Sequence, residues 1–286
     1  MSANDAMHAN RTYSIQGEPY TLLNRLGHGS FGSVWRARSQ SGEYVAVKIV
    51  DFSRARFYIG LNERAHYFSN ETRIMSRLKS ETESIVTMYA HEFNPRYGAG
   101  FIAMELGDES LIDRVRVLHH VHLRTGSLED YIPAKDRQNI WIQLVNIVLA
   151  LQRQGVVHRD LKPANLLFFG PNLKAVDFGT SQDESAGYHH HQKTGGTRPY
   201  SAPECFSGRV PITSKADIWS IGAILYFITY GRRPIYETSQ PPYGVFPTRS
   251  HAVQDVLYQC LQRNPNRRPD HQWLVQHPLT NSMTVF

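Results

Sequence analysis

The spacing of apolar residues along this chain changes once, after Gly107. Ahead of that point Tyr20 to Leu26, Val34 to Ala37 and Tyr44 to Val50 alternate as half-buried strands do. Gln40 to Glu43 supplies a hairpin turn between the last two. Ile85 to Phe93 and Gly100 to Glu105 read as further strands. Residues 62–79 carry one helix, with Ile74, Met75 and Leu78 on a shared face. Beyond Gly107 the period becomes helical. Asp136 to Gln154 aligns Ile140, Leu144, Ile147, Val148 and Leu151, and Gly155 stops it. Asp217 to Tyr230 is apolar nearly all round, the pattern of a helix enclosed by its own lobe. His251 to Arg263 and His271 to His277 read as closing helices. The order predicts an α+β, bilobal chain: a small β-rich N-lobe with one helix, a larger helical C-lobe, and a cleft at the junction near 106–108.

Charge and cysteine usage narrow the chemistry. The net charge is +6, but Lys and Arg are scattered, with no basic run interleaved with aromatics. That predicts a surface tolerant of anionic ligands rather than a nucleic-acid binder. Cys205 and Cys260 lack a CxxC context, which argues against a disulfide scaffold or zinc site and for a reducing compartment. The first residues hold no apolar signal core, and Ile218 to Tyr230 is too short to cross a membrane. The expectation is a protein of the cytoplasm, the nucleus or both, with no membrane partner. Residues 1–12 and 281–286 are expected to be a disordered N-terminal tail and a C-terminal tail.

Three local patterns carry chemistry. Gly27, Gly29 and Gly32 form GxGxxG ahead of Val34, with strand-like flanks on both sides. A dinucleotide-binding turn would run from strand into helix, so these glycines suit a flap whose amides approach phosphates. Alone, the run is equally a plain glycine hairpin. Lys48 ends Val45-Ala46-Val47-Lys48, and an ammonium on a half-buried strand needs anionic partners. Glu71 shares a helix face with Met75 and Leu78 and is the chosen partner; Glu63, whose face carries His66 and Tyr67, is the competitor. Third, His158 to Asn165 follows a helix stop. Its residue types would turn the Asp160 carboxylate to a hydroxyl and the Asn165 amide to a metal, with Lys162 offsetting negative charge on a transferred group.

These patterns, with Asp177-Phe178-Gly179 and Ala202-Pro203-Glu204, occur in the order found in eukaryotic protein kinases, and the chain resembles that family from about 13 to 280. The resemblance implies an N-lobe at 13–105, a hinge at 105–108 and a C-lobe at 108–280, with ATP in the cleft. Asp160 would take the proton of a substrate hydroxyl, and Lys162, Lys48 and Glu71 would complete the catalytic set. Asn165 and Asp177 would hold Mg. Gly27, Gly29, Gly32, Val34, Ala46, Lys48, Met104, Glu105, Leu106, Gly107, Asp113 and Leu167 would bind ATP, with Met104 as gatekeeper. His158 and Phe178 would stack with Met75 and Met88, Glu204 would pair with Arg268, and Asp217 would anchor the catalytic loop. The implied partners are ATP and protein substrates with Ser or Thr acceptors, the chain being a monomer or transient dimer.

Lys162 and Gly196-Thr197 resemble Ser/Thr kinases. Tyr20 to Leu26, Met104 to Asp108, Asp217 to Arg232 and Val253 to Leu257 are similar to the monopolar-spindle kinases, which extends the acceptors to Tyr. The chain departs from that subfamily at Arg159, in a longer 114–130, in the absence of a large targeting region, and in Pro241-Pro242, which disfavours a substrate-docking helix between Pro234 and His251. Arg159 beside Asp160 implies a neutralising anion, with Thr194 the best-placed hydroxyl for phosphorylation ahead of Ser181, Ser185 and Tyr188. His189-His190-His191 reads as a polar loop. A nucleotide-binding scaffold without transfer and a small-molecule kinase are the other readings.

Overall fold

The computed structural model describes residues 8–29, 31–52, 60–124, 130–186, 195–208, 210–235 and 238–281, in two compact units. The first comprises residues up to Thr82 and then Val86–Asp108; the second comprises Glu83–Ile85 and everything from Glu109 onward.

The first unit is built on a six-stranded antiparallel sheet against which one long helix is described. Its strands are β1 (Thr12–Ile15), β2 (Glu18–His28), β3 (Gly32–Ser39), β4 (Tyr44–Asp51), β5 (Met88–Asn94) and β6 (Ala99–Met104), in the order β1-β2-β3-β4-β6-β5. Alternate residues Leu22, Trp35, Ala37, Val47, Ile49, Phe101 and Ala103 fill one core. Each large side chain buried there contributes about 1.5–3 kcal/mol. Helix α1 (Leu61–Arg77) buries Tyr67, Phe68, Glu71, Thr72, Ile74 and Met75. Two strand limits differ from expectation. The segment ahead of residue 13 is tied down from His8, whose Nδ1 lies 2.7 Å from the Tyr13 hydroxyl, while Asn10 N donates to Leu22 O at 2.8 Å. The strand read from Ile85 starts at Met88; Ile85 is buried in the second unit, where it bridges Ala175.

The second unit is mainly helical: α2 (Leu111–Leu123), α3 (Ala134–Arg153), α4 (Glu204–Ser207), α5 (Lys215–Tyr230), α6 (His251–Cys260) and α7 (His271–Gln276). Short strands β7 (Glu109–Ser110), β9 (Leu166–Phe169) and β10 (Asn172–Ala175) form one sheet, and β8 (Val156–Val157) pairs with β11 (Gln182–Asp183). Helix α5 is buried along nearly its whole length, which is why it shows no polar stripe. At Gly222 an added Cβ would lie 2.7 Å from Cys260 Cβ, so the glycine lets α6 approach. Helix α5 ends at Gly231, left-handed at φ 66°, whose amide donates to Phe227 O at 2.8 Å. No described residue from 232 to 250 is helical. No helix among the described residues is long and apolar enough to cross a membrane.

Candidate functional site

Each unit carries one set of chemistry-bearing residues. In the first, the β2–β3 turn is closed by Gly29 N donating to Gly32 O at 2.8 Å. A Cβ at Gly32 would sit 1.9 Å from Ile49 O, so the close approach of β3 to β4 requires glycine there. Gly27 and Val34 face each other across β2–β3; Val34 faces Lys48, and Ala46 faces Met104. Beyond Met104, Glu105 N donates to Thr87 O at 2.9 Å and Glu105 Oε2 accepts from Thr87 N at 3.2 Å. Leu106 and Gly107 follow, half-buried.

Lys48 and Glu71 meet on the inner side of β4. Lys48 Nζ donates to Glu71 Oε1 and Oε2 at 2.7 and 2.8 Å, and to the Tyr67 hydroxyl at 2.9 Å. The two side chains are 11% and 1% exposed. At that burial, removing one partner of a charge pair costs about 3–5 kcal/mol. Glu71 is the carboxylate at Lys48, while Glu63 is half-buried two turns earlier. Tyr67 is the residue that reading by helix face missed: it shared the Glu63 face, yet it also stands one turn before Glu71, and that spacing was the available signal. Its ring stacks on Phe31, centroids 3.8 Å apart at 10°. Arg64, a turn earlier, donates to Phe31 O at 3.2 Å and Asp51 O at 2.8 Å.

In the second unit the site is a loop held from inside. Asp217, near the start of α5, accepts from His158 N at 2.7 Å and Arg159 N at 3.0 Å. Burial pushes its carboxyl above the usual Asp range, against the nearby His158 and the two amides, which pull it down. The chain then turns through Arg159 at φ 71°, a left-handed conformation rare for a side chain of this size. Burial lowers the Arg159 guanidinium from its ordinary value. Asp160 follows, largely buried. Its Oδ2 accepts from Lys162 Nζ at 2.6 Å and Asn165 Nδ2 at 3.2 Å; its Oδ1 accepts from Thr197 N at 3.0 Å and Thr197 Oγ1 at 2.9 Å. Lys162 Nζ also reaches Thr197 Oγ1 at 2.9 Å. Asn165 O takes Val176 N at 3.0 Å, which brings Asp177 (φ 69°) to the same loop. Phe178 packs on His158 with centroids 4.9 Å apart.

Asn165 aims its amide nitrogen at Asp160 and so turns its oxygen away. Asn165 and Asp177 offer oxygen donors only, which fits a hard divalent cation that completes its shell with phosphate and water. No group of three or more His, Cys, Asp or Glu among the described residues could hold a metal by itself.

Two further nucleotide candidates belong to the second unit. Leu167 sits on β9 opposite Lys174 and Ser110. Asp113, in the first turn of α2, spends its carboxylate on Ser110 Oγ at 2.7 Å and Arg116 at 3.1 Å. Glu204 and Arg268 form a two-pronged buried pair at 2.6 and 2.8 Å. Thr194, Tyr188 and His189 to His191 lie outside the described residues. Ser181 is buried and donates to His158 O at 3.3 Å, while Ser185 is exposed.

The protein kinase domain family matches this chain over residues 20–280. The dual specificity protein kinase TTK of Mus musculus is 26% identical over 294 residues, covering 94% of this chain and 32% of that protein. The serine/threonine-protein kinase MPS1 of Encephalitozoon cuniculi is 27% identical, covering 95% and 45%. The CBL-interacting serine/threonine-protein kinase 24 of Arabidopsis thaliana is 33% identical, covering 91% and 56%. The chain spans about a third of the mouse relative's length and under two thirds of the others'.

Proposed function

The chain belongs to the protein kinase family, and from that premise we propose that it transfers the γ-phosphoryl group of ATP to Ser and Thr hydroxyls of protein substrates. The observation that carries this reading is the fourfold hold on the Asp160 carboxylate by Lys162, Asn165 and Thr197. Asp160 accepts the proton of the attacking hydroxyl, and Lys162, 2.6 Å from it, offsets charge on the phosphoryl group in flight. Lys48 grips ATP phosphates, and Glu71 holds Lys48 in place. Asn165 and Asp177 would hold Mg, which neutralises the phosphates. The amides of the glycine-rich β2–β3 turn would approach the phosphates, and by the family pattern Val34, Ala46, Met104, Glu105 to Gly107 and Leu167 would receive the base. Asp113, engaged with Ser110 and Arg116, belongs to the rim of that set.

The finer parts of the reading have their own support. Thr197 on Asp160 favours Ser and Thr acceptors, and the mouse relative's printed name, dual specificity, extends the proposal to Tyr. The water-excluded Arg159 guanidinium favours regulation by an anion such as phosphorylated Thr194. Two free, buried cysteines suit a reducing compartment, cytoplasm or nucleus, and we infer a monomer or transient dimer.

Radiolabel transfer from Mg-ATP to a generic protein substrate, run beside Asp160→Asn and followed by phosphoamino-acid analysis, tests the proposal. Labelled Ser and Thr that vanish in the variant are expected. Nucleotide binding without transfer by the wild type would overturn it in favour of a binding scaffold.

A further inference from the structure

Helix α1 carries more than the carboxylate for Lys48. We propose that Tyr67 sets nucleotide affinity: its hydroxyl competes with a nucleotide phosphate for the Lys48 ammonium, and its ring stacks on Phe31 at the tip of the glycine-rich turn. The inference rests on the assignment of Lys48 as the phosphate-binding lysine.

An ammonium has three protons. Lys48 Nζ lies 2.7 and 2.8 Å from the two oxygens of Glu71 and 2.9 Å from the Tyr67 hydroxyl. The same ammonium stands 4.7 Å from the Tyr67 ring centroid. The ring also stacks on Phe31, at 3.8 Å and nearly parallel. Arg64 fixes the Phe31 carbonyl from one turn away. Residues 64, 67 and 71 thus form one stripe of α1 that holds the glycine-turn tip, the lysine and the tyrosine as a unit. The ammonium–hydroxyl bond is already charge-assisted by its donor, but a phosphate oxygen carries the opposite charge as well and is the stronger acceptor. The phosphate displaces Tyr67 but must first break that bond, which weakens nucleotide binding about tenfold. The Glu71 contacts need not break.

Tyr67→Phe keeps the stacked ring and removes only the acceptor. We expect it to bind ADP and ATP about three- to tenfold more tightly. The Michaelis constant for ATP should fall by the same factor, with kcat within about twofold of wild type because Lys48 and Glu71 remain paired. A purely structural role for Tyr67 would instead lower kcat or the melting temperature and leave the Michaelis constant alone. A second measurement does not depend on the variant folding. In wild type carrying 3-fluorotyrosine at Tyr67 alone, the fluorine resonance should shift over the same ADP concentrations at which ADP binds. An unchanged or weaker affinity in folded Tyr67→Phe, or a resonance insensitive to ADP while ADP binds, overturns the proposal. If the wild type binds no nucleotide at all, the assignment of Lys48 fails instead.

Discussion

The two polar clusters use similar side chains but stand on different kinds of backbone. Lys48 projects from a strand of the first core, and Tyr67 and Glu71 project from a regular helix. Asp160, Lys162 and Asn165 stand on a loop that turns through a left-handed Arg159. That loop acquires its shape from Asp217, which binds two of its amides from inside α5. The first cluster therefore needs correct side chains on ordinary elements. The second needs a buried carboxylate, away from the chemistry, to hold an unfavourable backbone in place. Positioning is inherited from secondary structure in one case and supplied by a dedicated anchor in the other.

That contrast can be broken at either end. The largest effect is expected at Asp160→Asn, which should lower phosphoryl transfer by about 10²–10⁴-fold while ATP binding persists; steady-state rates and a nucleotide titration check it. Lys48→Met should unfold more easily by about 3–5 kcal/mol, because Glu71 is left buried and charged. Lys48→Met combined with Glu71→Leu should recover most of that stability in urea titrations without recovering activity, separating the pair's structural role from its chemical one. At the anchor, Asp217→Ala leaves two buried amides without their acceptor and should cost about 2–5 kcal/mol. Asp217→Asn, which keeps one acceptor oxygen, should cost about half as much. If Asp217→Ala lost activity with no loss of stability, the loop would be holding its own shape.

The smallest effect belongs to the second unit alone. Burial lowers the pKa of His271 and His277 from 6.5, although Asp255 opposes the shift at His277. The folded chain therefore resists protonation there, so this stability is complete above pH 6.5 and is lost as pH falls towards the lowered values. Urea midpoints should drop between about pH 7.5 and about pH 5.5, and His271→Gln with His277→Gln should flatten the drop. No such drop in the wild type would remove these histidines from the account.

The same contrast governs what the sequence made legible. Strands β2, β3 and β4, and helices α1, α3, α5 and α6, were readable within a few residues because each is a regular element long enough for its apolar spacing or its unbroken apolar run to show. Helix α2 was not, because Val117, Val121 and Leu123 are exposed and blur its apolar stripe. The hairpins at 156–183 escaped because strands of two to four residues show no period. Among the site residues, Glu71 followed from its helix face, and the loop residues followed only from their order as motifs. Tyr67 was missed because its spacing one turn before Glu71 went unused, and its stacking on Phe31 from the turn is a contact that no periodicity encodes.

Residues Glu83–Ile85 leave the first unit, join the second, and return the chain to the first at Val86. There, Ser84 O accepts from Ala175 N at 2.9 Å and Glu83 Oε2 from Asn172 Nδ2 at 3.1 Å. A gene cut after Asp108 would therefore yield two incomplete pieces: a first half carrying a segment whose partners are gone, and a second half lacking what covers β10. A ribosome making this protein releases that segment long before residues 172–175 exist. The second unit can reach its final form only by collecting, late, a piece of chain delivered early.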